Sequence, residues 1–265
     1  MCVGFGIVVK AAVTTTYVIT PASTVFSEKH VTGVMMDGAP GFATGSFKSD
    51  GVAKTDMYFA PLDIFGHEVK VGEVESVSYW TKKGSTHAQN PIDWALVFYT
   101  KYYTGSLSTS TWYGERYGAE PYFAMNTVDP ADTWNQWSSD AGDNQLRFYE
   151  STSGAPGANF GTYNDPSWDT FKASAGLSGQ SRANHDILFF SVQTGSATAA
   201  GFTGQVDGVR IELTNGEVVN LNFEPFLQPT DRDSCKKNGF MNLLRGNGLP
   251  FANQGDCVSY VNTGR

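Results

Sequence analysis

Charged residues are scarce in this chain: Asp, Glu, Lys and Arg make up 17% of its 265 residues, whereas aromatic residues make up 14%. The 18 Lys and Arg residues are outnumbered by 26 Asp and Glu, which gives a formal net charge of -8. Nucleic-acid binding needs clustered Lys and Arg to neutralise phosphates, and the sequence has no such cluster. It also lacks a run of about eighteen apolar residues, the length that spans a bilayer. We therefore expect neither a nucleic-acid partner nor a membrane span.

Signatures of common catalytic and metal sites are missing as well. The four histidines lie far apart, and none has the spacing of a zinc site. No serine lies in a Gly-x-Ser-x-Gly motif, and the glycine-rich segments lack the lysine of a phosphate-binding loop. Nothing in the sequence therefore indicates a familiar type of catalysis.

Short alternating apolar segments, separated by Gly, Pro, Asn, Asp and Ser clusters, follow one another from residue 14 to about residue 226. This pattern is typical of β-strands joined by turns. The clearest case is 209–213 and 218–223, which alternate on either side of Asn215-Gly216 and predict a hairpin, with Asn-Gly supplying the positive φ of its turn.

Only one segment, 166–173, has the character of a helix. Asp165 is its expected N-cap, and Gly176 would follow its end. About ten strands with almost no helix predict two antiparallel sheets packed face to face, an all-β sandwich of the jelly-roll type.

The chain ends differ in character from this body. Residues 1–13 are mostly apolar and are either a truncated secretory signal segment or the first strand of the fold. The predicted organisation is this segment, a β-sandwich domain at 14–226, and a linker with a cysteine-containing tail at 227–265. Pro225 and Pro229 lie at the linker.

Cys235 and Cys257 lie in a tail that is rich in Gly and Asn and has few apolar residues. A disulfide would help such a segment to fold. Closing a loop of about 22 residues contributes roughly 3 kcal/mol in the chain-entropy model. Two free thiols are the alternative. The expected disulfide favours an extracellular location.

Two tail segments, DSCKKNGF at 233–240 and FANQGDCVSYV at 251–261, resemble an ending of the form CK-x-GG…F-x-NQG-x-CVS-[FY]-V. Many secreted bacterial proteins of uncharacterised function carry that ending. In the body, GFTGQVDGVRI at 201–211 and NFEP at 222–225 resemble the last strands of those proteins and of concanavalin-like and laminin-G-like jelly rolls. The resemblance implies a secreted jelly-roll sandwich of bacterial type, and it implies no activity.

An aromatic-rich segment gives the best functional indication. Exposed Trp and Tyr rings can stack on the apolar faces of sugars while nearby polar side chains bind hydroxyl groups. The alternative is that the rings belong to the core. The candidate residues for binding a polysaccharide or cell-surface glycan follow a Gly-Ser-Thr loop at 105–111: Trp112, Tyr113, Arg116, Tyr117 and Tyr122.

Two pairs of glutamates are weaker candidates for glycoside hydrolysis, which needs two carboxyl groups on one face. Glu73 and Glu75 are spaced to share a strand face, and Glu115 and Glu120 flank the aromatic segment. Solvated carboxylates are the simpler interpretation of both pairs.

Calcium is the one cofactor that we consider. Asp207 in the turn 206–208 is a candidate ligand. Plain turn chemistry is the alternative. Further acidic residues crowd another loop: Asp129, Asp132, Asp140 and Asp143.

The sequence thus predicts a secreted, non-catalytic module that binds glycans or adheres to cell surfaces. Two alternatives stay open. One is a carbohydrate-active enzyme, a hydrolase or lyase, that uses a glutamate pair. The other is a structural protein of an extracellular assembly, whose strand edges pair with neighbouring copies.

Overall fold

A computed structural model describes residues 13–21, 23, 29–30, 33–42, 44–49, 51–52, 54–84, 93–125, 128–154, 161–194, 202–246 and 249–264. Residues 1–12, which make up nearly all of the predicted signal segment, lie outside the described residues. Strands account for most of the regular structure: β1 (Thr14–Ile19), β2 (Lys29–His30), β3 (Gly33–Met35), β4 (Ser46–Lys48), β5 (Asp56–Phe59), β6 (Val74–Lys83), β7 (Ala95–Thr100), β8 (Arg116–Ala119), β9 (Asn135–Ser138), β10 (Tyr149–Glu150), β11 (Ile187–Gln193), β12 (Gly204–Leu213) and β13 (Val218–Phe223).

These strands form two sheets. The seven-stranded sheet has the order β1-β13-β12-β4-β3, with β6 paired to β12 and β9 paired to β6. The six-stranded sheet has the order β10-β8-β7-β11-β5-β2, and its strand pairs are antiparallel. The prediction of an all-β sandwich is confirmed.

The core lies between the two sheets because alternate side chains of each strand point inward. Phe59 of β5 stacks on Phe223 of β13 with ring centroids 6.0 Å apart, and Phe223 in turn stacks on Phe47 of β4 at 4.9 Å. Phe98 of β7 contacts Phe190 of β11 edge to face at 5.2 Å. Rings from both sheets therefore close one continuous core.

The predicted hairpin is confirmed, since β12 and β13 pair antiparallel from Val209–Leu221 to Glu212–Val218, and Gly216 has a φ of +87°. One pair departs from the expected antiparallel pattern. β1 runs parallel to β13 over six residues, from Thr14–Val218 to Ile19–Phe223. The two strands come from opposite ends of the domain, so no short turn forces them to be antiparallel.

Three α-helices are present among the described residues: α1 (Pro61–Ile64), α2 (Trp168–Ala173) and α3 (Gln254–Thr263). α2 is the predicted helix, and it buries Trp168 and Phe171. Its N-cap is Ser167 rather than Asp165, whose carboxylate instead accepts the backbone N–H of Thr162. The expectation of a single short helix therefore missed α1 and α3.

The tail has a small core of its own. The predicted disulfide joins Cys235 to Cys257, and both cysteines are buried with Leu243 and Phe251. α3 begins after Asn253, whose side chain accepts the N–H of Asp256 at 3.0 Å. No helix in the described part of the chain is both long and apolar enough to cross a membrane.

Candidate functional site

The outward face of the six-stranded sheet carries a group of aromatic rings. Because Phe98 and Phe190 point into the core, their neighbours Tyr99 and Phe189 point away from it. Loop residues complete a group that we call the outer aromatic cluster: Tyr58, Tyr99, Trp112, Tyr113 and Phe189.

Trp112 is the outermost ring of this cluster. Its centroid lies 4.6 Å from that of Tyr99 and 4.7 Å from that of Tyr113. Trp112 is 45% exposed, whereas Tyr99 and Tyr113 are buried. Two sequence-predicted residues, Trp112 and Tyr113, thus lie together, one as an exposed plane and the other as part of its support.

Polar groups surround the outer aromatic cluster. The Tyr99 hydroxyl donates to Oε1 of Gln193 at 3.3 Å. In the loop before Trp112, the Ser110 hydroxyl accepts the N–H of Trp112 at 3.3 Å, and Ser108 accepts the N–H of Ser110 at 3.0 Å. The Tyr99–Gln193 bond is buried, so the partly exposed hydroxyl groups of Ser108 and Ser110 are the ones that a ligand on this face could reach.

Arg116 follows on the same face, next to Tyr99 in the register of β7 and β8. Its guanidinium donates to Oγ of Ser151 at 2.8 Å and to the Ser151 carbonyl at 2.7 Å. These bonds direct the guanidinium towards the segment that follows β10, on the side of β8 opposite to Tyr99.

Tyr122 belongs to a separate aromatic group near β10, where its ring lies 4.7 Å from Phe123 and 5.5 Å from Tyr163. Two strand spacings, roughly 10 Å, separate β10 from β7, the strand that carries Tyr99 of the outer aromatic cluster. Tyr122 is partly exposed and does not contact the rings around Trp112 in the described structure. The face therefore has two aromatic surfaces, and the sequence did not separate them.

Tyr117 is the predicted glycan-binding residue whose position does not fit that role. It is 1% exposed and points into the sandwich, because it is the next residue along β8 from the outward Arg116. Its hydroxyl contacts Oε2 of Glu115 at 3.1 Å and also Nδ1 of His185. A ligand on the outer face therefore cannot reach Tyr117.

Around Tyr117 lies a group that we call the inner polar cluster: Glu115, Tyr117, Glu150, Arg182 and His185. Burial raises the pKa of Glu150, and the nearby Glu115 raises it further. Burial lowers the pKa of His185. The Arg182 guanidinium lies 4.3 Å above the Phe171 ring, with Nε 3.7 Å from Oε2 of Glu150.

The glutamate pairs expected from the sequence do not form acid and base pairs. Glu115 is 0% exposed and points inward, whereas Glu120 lies beyond β8 and accepts a hydrogen bond from the outward Tyr149 hydroxyl. Glu73 lies in a 3₁₀ turn before β6, where its carboxylate accepts the N–H of Lys70 at 2.7 Å. Glu75 is exposed on β6, so the shared strand face predicted for Glu73 and Glu75 is wrong.

Asp207 is fully buried and has three backbone partners. Oδ1 accepts the N–H groups of Gly208 at 2.7 Å and Phe223 at 2.8 Å, and Oδ2 accepts that of Ala39 at 3.0 Å. Burial raises its pKa to about 7, although these bonds oppose the rise. Within the described ranges, no three His, Cys, Asp or Glu residues are grouped to hold a metal ion. The geometry therefore favours a structural role for Asp207 over calcium binding.

The acidic loop behaves in the same way. Asp132, Asp140 and Asp143 are exposed, and they do not converge on a site in the described structure. Asp129 differs from them because its side chain is buried against Lys83.

Sequence reasoning missed Glu150, Arg182 and His185. Glu150 had a usable signal, since it follows the alternating residues 146–149 at a position that points inward. Arg182 and His185 had none, because a turn between α2 and β11 carries them to the cluster.

No family model, curated protein or solved structure matches the chain. The resemblance to secreted bacterial proteins therefore stays a prediction, and the geometry of the outer aromatic cluster is the basis for a functional proposal.

Proposed function

We propose that this chain is a secreted, non-catalytic module that binds glycans, and that Trp112 is its main contact with sugar. The observation that carries the proposal is the position of Trp112, 45% exposed but supported by the buried rings of Tyr99 and Tyr113. A ring that is already held in place loses little conformational freedom when a ligand stacks on it. The Trp112 plane is therefore suited to the apolar face of a sugar ring.

The polar groups beside Trp112 support the same function. The loop before Trp112 carries the hydroxyl groups of Ser108 and Ser110, and Arg116 lies on the same face, opposite Tyr99 on the neighbouring strand. A few directed polar groups around an apolar plane are typical of small-molecule and sugar sites. The disulfide is consistent with an extracellular location for such a module.

Catalysis on a glycan has less support. Hydrolysis needs two carboxyl groups that both reach the substrate. Glu115 and Glu150 are the closest carboxylates in the inner polar cluster, but both are buried between the sheets. Glu120 lies on the opposite face of β8 from Glu115. These glutamates therefore do not combine into a catalytic pair.

The test is a glycan array combined with a pull-down on insoluble polysaccharides, using the full chain and measuring both retention and released sugar. We expect retention without release. Trp112→Ala should weaken binding by at least about tenfold, since truncating a central Trp at a binding site commonly costs about 2 kcal/mol or more. Leu62→Ala, which alters an exposed apolar residue of α1, is the matched control and should change nothing.

Tyr122→Ala distinguishes the two aromatic surfaces. Loss of binding in Tyr122→Ala but not in Trp112→Ala would move the site to the surface near β10. Release of sugar would overturn the non-catalytic assignment. A folded protein that no glycan retains would overturn the proposal itself.

A further inference from the structure

A buried lysine and a buried aspartate meet at the end of β6. Nζ of Lys83 lies 2.6 Å from Oδ2 of Asp129, and the two side chains are 4% and 7% exposed. Among the described lysine ion pairs, no other has both side chains so deeply buried. Lys82 makes the useful comparison, because it pairs with Asp37 at the same 2.6 Å while the two side chains are 22% and 42% exposed.

The surrounding backbone fixes this pair. The N–H of Asp132 donates to the Lys83 carbonyl at 2.8 Å, which attaches the Asp129 loop to the end of β6. Nδ2 of Asn135 donates to Oδ1 of Asp129 at 3.1 Å. Asn135 is itself held opposite Thr81 in the register of β6 and β9. The amine and the carboxyl carbon are therefore held together by the strands and the attached loop, which raises their effective concentration.

A third carboxyl group, that of Asp93, belongs to the same site. It accepts hydrogen bonds from the Thr81 hydroxyl and from the N–H of Trp94, the latter at 2.7 Å. Burial raises the pKa of Asp93 to about 8, with Asp129 adding to the shift and Lys83 opposing it. Asp93 is thus close enough to interact with both members of the pair, and its burial favours the protonated form.

We propose that Lys83 and Asp129 join through an amide bond that forms within the folded chain, with Asp93 as the group that carries protons between them. Buried aromatic side chains lie next to Thr81 and Asp93: Trp137 donates to the Thr81 hydroxyl at 2.6 Å, and the Tyr79 hydroxyl donates to the carbonyl of Trp94, the residue after Asp93, at 2.9 Å. An apolar surrounding disfavours a separated pair of charges. Burial raises the pKa of Asp129 and so favours the neutral acid that an amide-forming reaction needs.

The reaction balances without a further reactant. One proton moves from the Lys83 ammonium to the carboxylate, which leaves a neutral amine. The amine nitrogen attacks Cγ of Asp129 and forms the C–N bond. The C–O bond then breaks, and the hydroxyl leaves as water with a proton supplied through Asp93, which regains a proton from the nitrogen. Ammonium and carboxylate thus become one amide and one water, with nothing oxidised or reduced.

Mass spectrometry tests this directly on the purified full chain. We expect the reduced and denatured protein to be lighter by one water than its sequence requires. Processing at either end would also change the intact mass, so the decisive result is a joined peptide that contains Lys83 and Asp129 after digestion with a protease that does not cleave at lysine. Wild-type protein carries the test even if a variant fails to fold.

Three variants locate the chemistry. Lys83→Met should abolish the mass loss, and Asp93→Asn should abolish or greatly slow it while Lys83 and Asp129 stay in place. Lys82→Met, the matched control one residue away, should keep the full loss. Wild-type protein that shows no joined peptide after long incubation would overturn the proposal. If the mass instead falls by one ammonia and the joined peptide contains Lys83 and Asn135, the assignment to Asp129 is overturned. If the amide forms at an unchanged rate in Asp93→Asn, the proposed role of Asp93 is overturned.

Discussion

Substitution of Asp207 can distinguish between two roles for its carboxylate, a structural hydrogen-bond acceptor and a calcium ligand. Its two oxygens accept the N–H groups of Ala39, Gly208 and Phe223, and so connect the segment before β4 with β12 and β13. Gly208 has a φ of +60° at an irregularity in β12, where the normal strand pairing is interrupted. The carboxylate therefore replaces the hydrogen-bond acceptors that a regular strand would supply.

The size of the effect follows from the number of partners. Asp207→Ala leaves three buried N–H groups without an acceptor, at about 1–3 kcal/mol each. The expected loss of about 3–9 kcal/mol is a large part of a typical free energy of unfolding of about 5–15 kcal/mol. Asp207→Asn retains Oδ1 with two of its donors and loses only the bond from Ala39, so it should cost about 1–3 kcal/mol.

The pH dependence has a definite sign. Burial raises the pKa of Asp207 to about 7, whereas an aspartate in the unfolded chain has its ordinary pKa of 3.8. The folded state therefore favours the protonated form, and the associated stability is present below about pH 4 and is lost as pH rises through about 7. Because Asn carries no charge, the stability difference between wild type and Asp207→Asn should shrink as pH rises over this interval.

Urea unfolding followed by tryptophan fluorescence measures these differences, with and without a calcium chelator. Asp140→Asn is the matched control, because Asp140 is exposed in the acidic loop. A chelator should leave the wild-type midpoint unchanged. The structural role is refuted if Asp207→Ala is as stable as wild type, or if a chelator destabilises wild type but has no effect on Asp207→Asn, as a calcium ligand requires.

Two further predictions concern the tail and the inner polar cluster. Replacing Cys235 and Cys257 by Ala should destabilise residues 231–264 by roughly 3 kcal/mol and leave the sandwich folded, as seen by proteolysis and hydrogen exchange; simultaneous loss of protection in both parts would contradict a separate tail core. Burial and Glu115 raise the pKa of Glu150 to about 8, so the contribution of Glu150 to stability should fall as pH rises from about 5 to about 8, by at most about 1.4 kcal/mol for each pH unit. His185 changes stability in the opposite direction, because burial lowers its pKa. The slope of stability against pH should flatten in Glu150→Gln but not in the control Glu75→Gln, which alters an exposed residue. Equal slopes in wild type and both variants would argue against Glu150 as the source.

Features set by local chemistry could be predicted from the sequence. The β12–β13 hairpin follows from alternation around Asn215-Gly216, and Gly216 indeed has the positive φ that the turn needs. The Cys235–Cys257 disulfide follows from a segment with too few apolar residues to fold unaided. In both cases a few neighbouring residues decide the outcome, and distant segments have little influence.

Features set by distant segments could not be predicted in the same way. The parallel pairing of β1 with β13 joins residues roughly 200 positions apart, and nothing in the TTTYVI sequence of β1 selects that partner. α3 has a capping signal in Asn253 and Asp256, but its buried side depends on Cys257 packing with Leu243 and Phe251. Tertiary contacts therefore decided elements that were locally ambiguous.

In the candidate sites, too, some features follow from local sequence and others depend on distant segments. Period-two alternation places Arg116 and Tyr117 on opposite faces of β8, so their separation was available from the sequence once the strand was assigned. The sequence did not indicate that Lys83, Asp93 and Asp129 lie close together. They come from β6, from the residue before Trp94 and from a loop before β9, and these segments meet only in the folded sandwich.

The proposed glycan binding and the proposed amide bond depend on different parts of the molecule, so each can be tested without disturbing the other. Trp112 lies outside the six-stranded sheet, whereas Lys83 lies at the end of a strand of the seven-stranded sheet. Trp112→Ala should therefore keep the joined peptide, and Lys82→Met should keep glycan affinity. An amide between Lys83 and Asp129 would join the end of β6 covalently to the loop that leads into β9, its neighbour in the same sheet. Loss of glycan affinity with the joined peptide intact would therefore count against the binding proposal alone, and the opposite result would count against the amide alone.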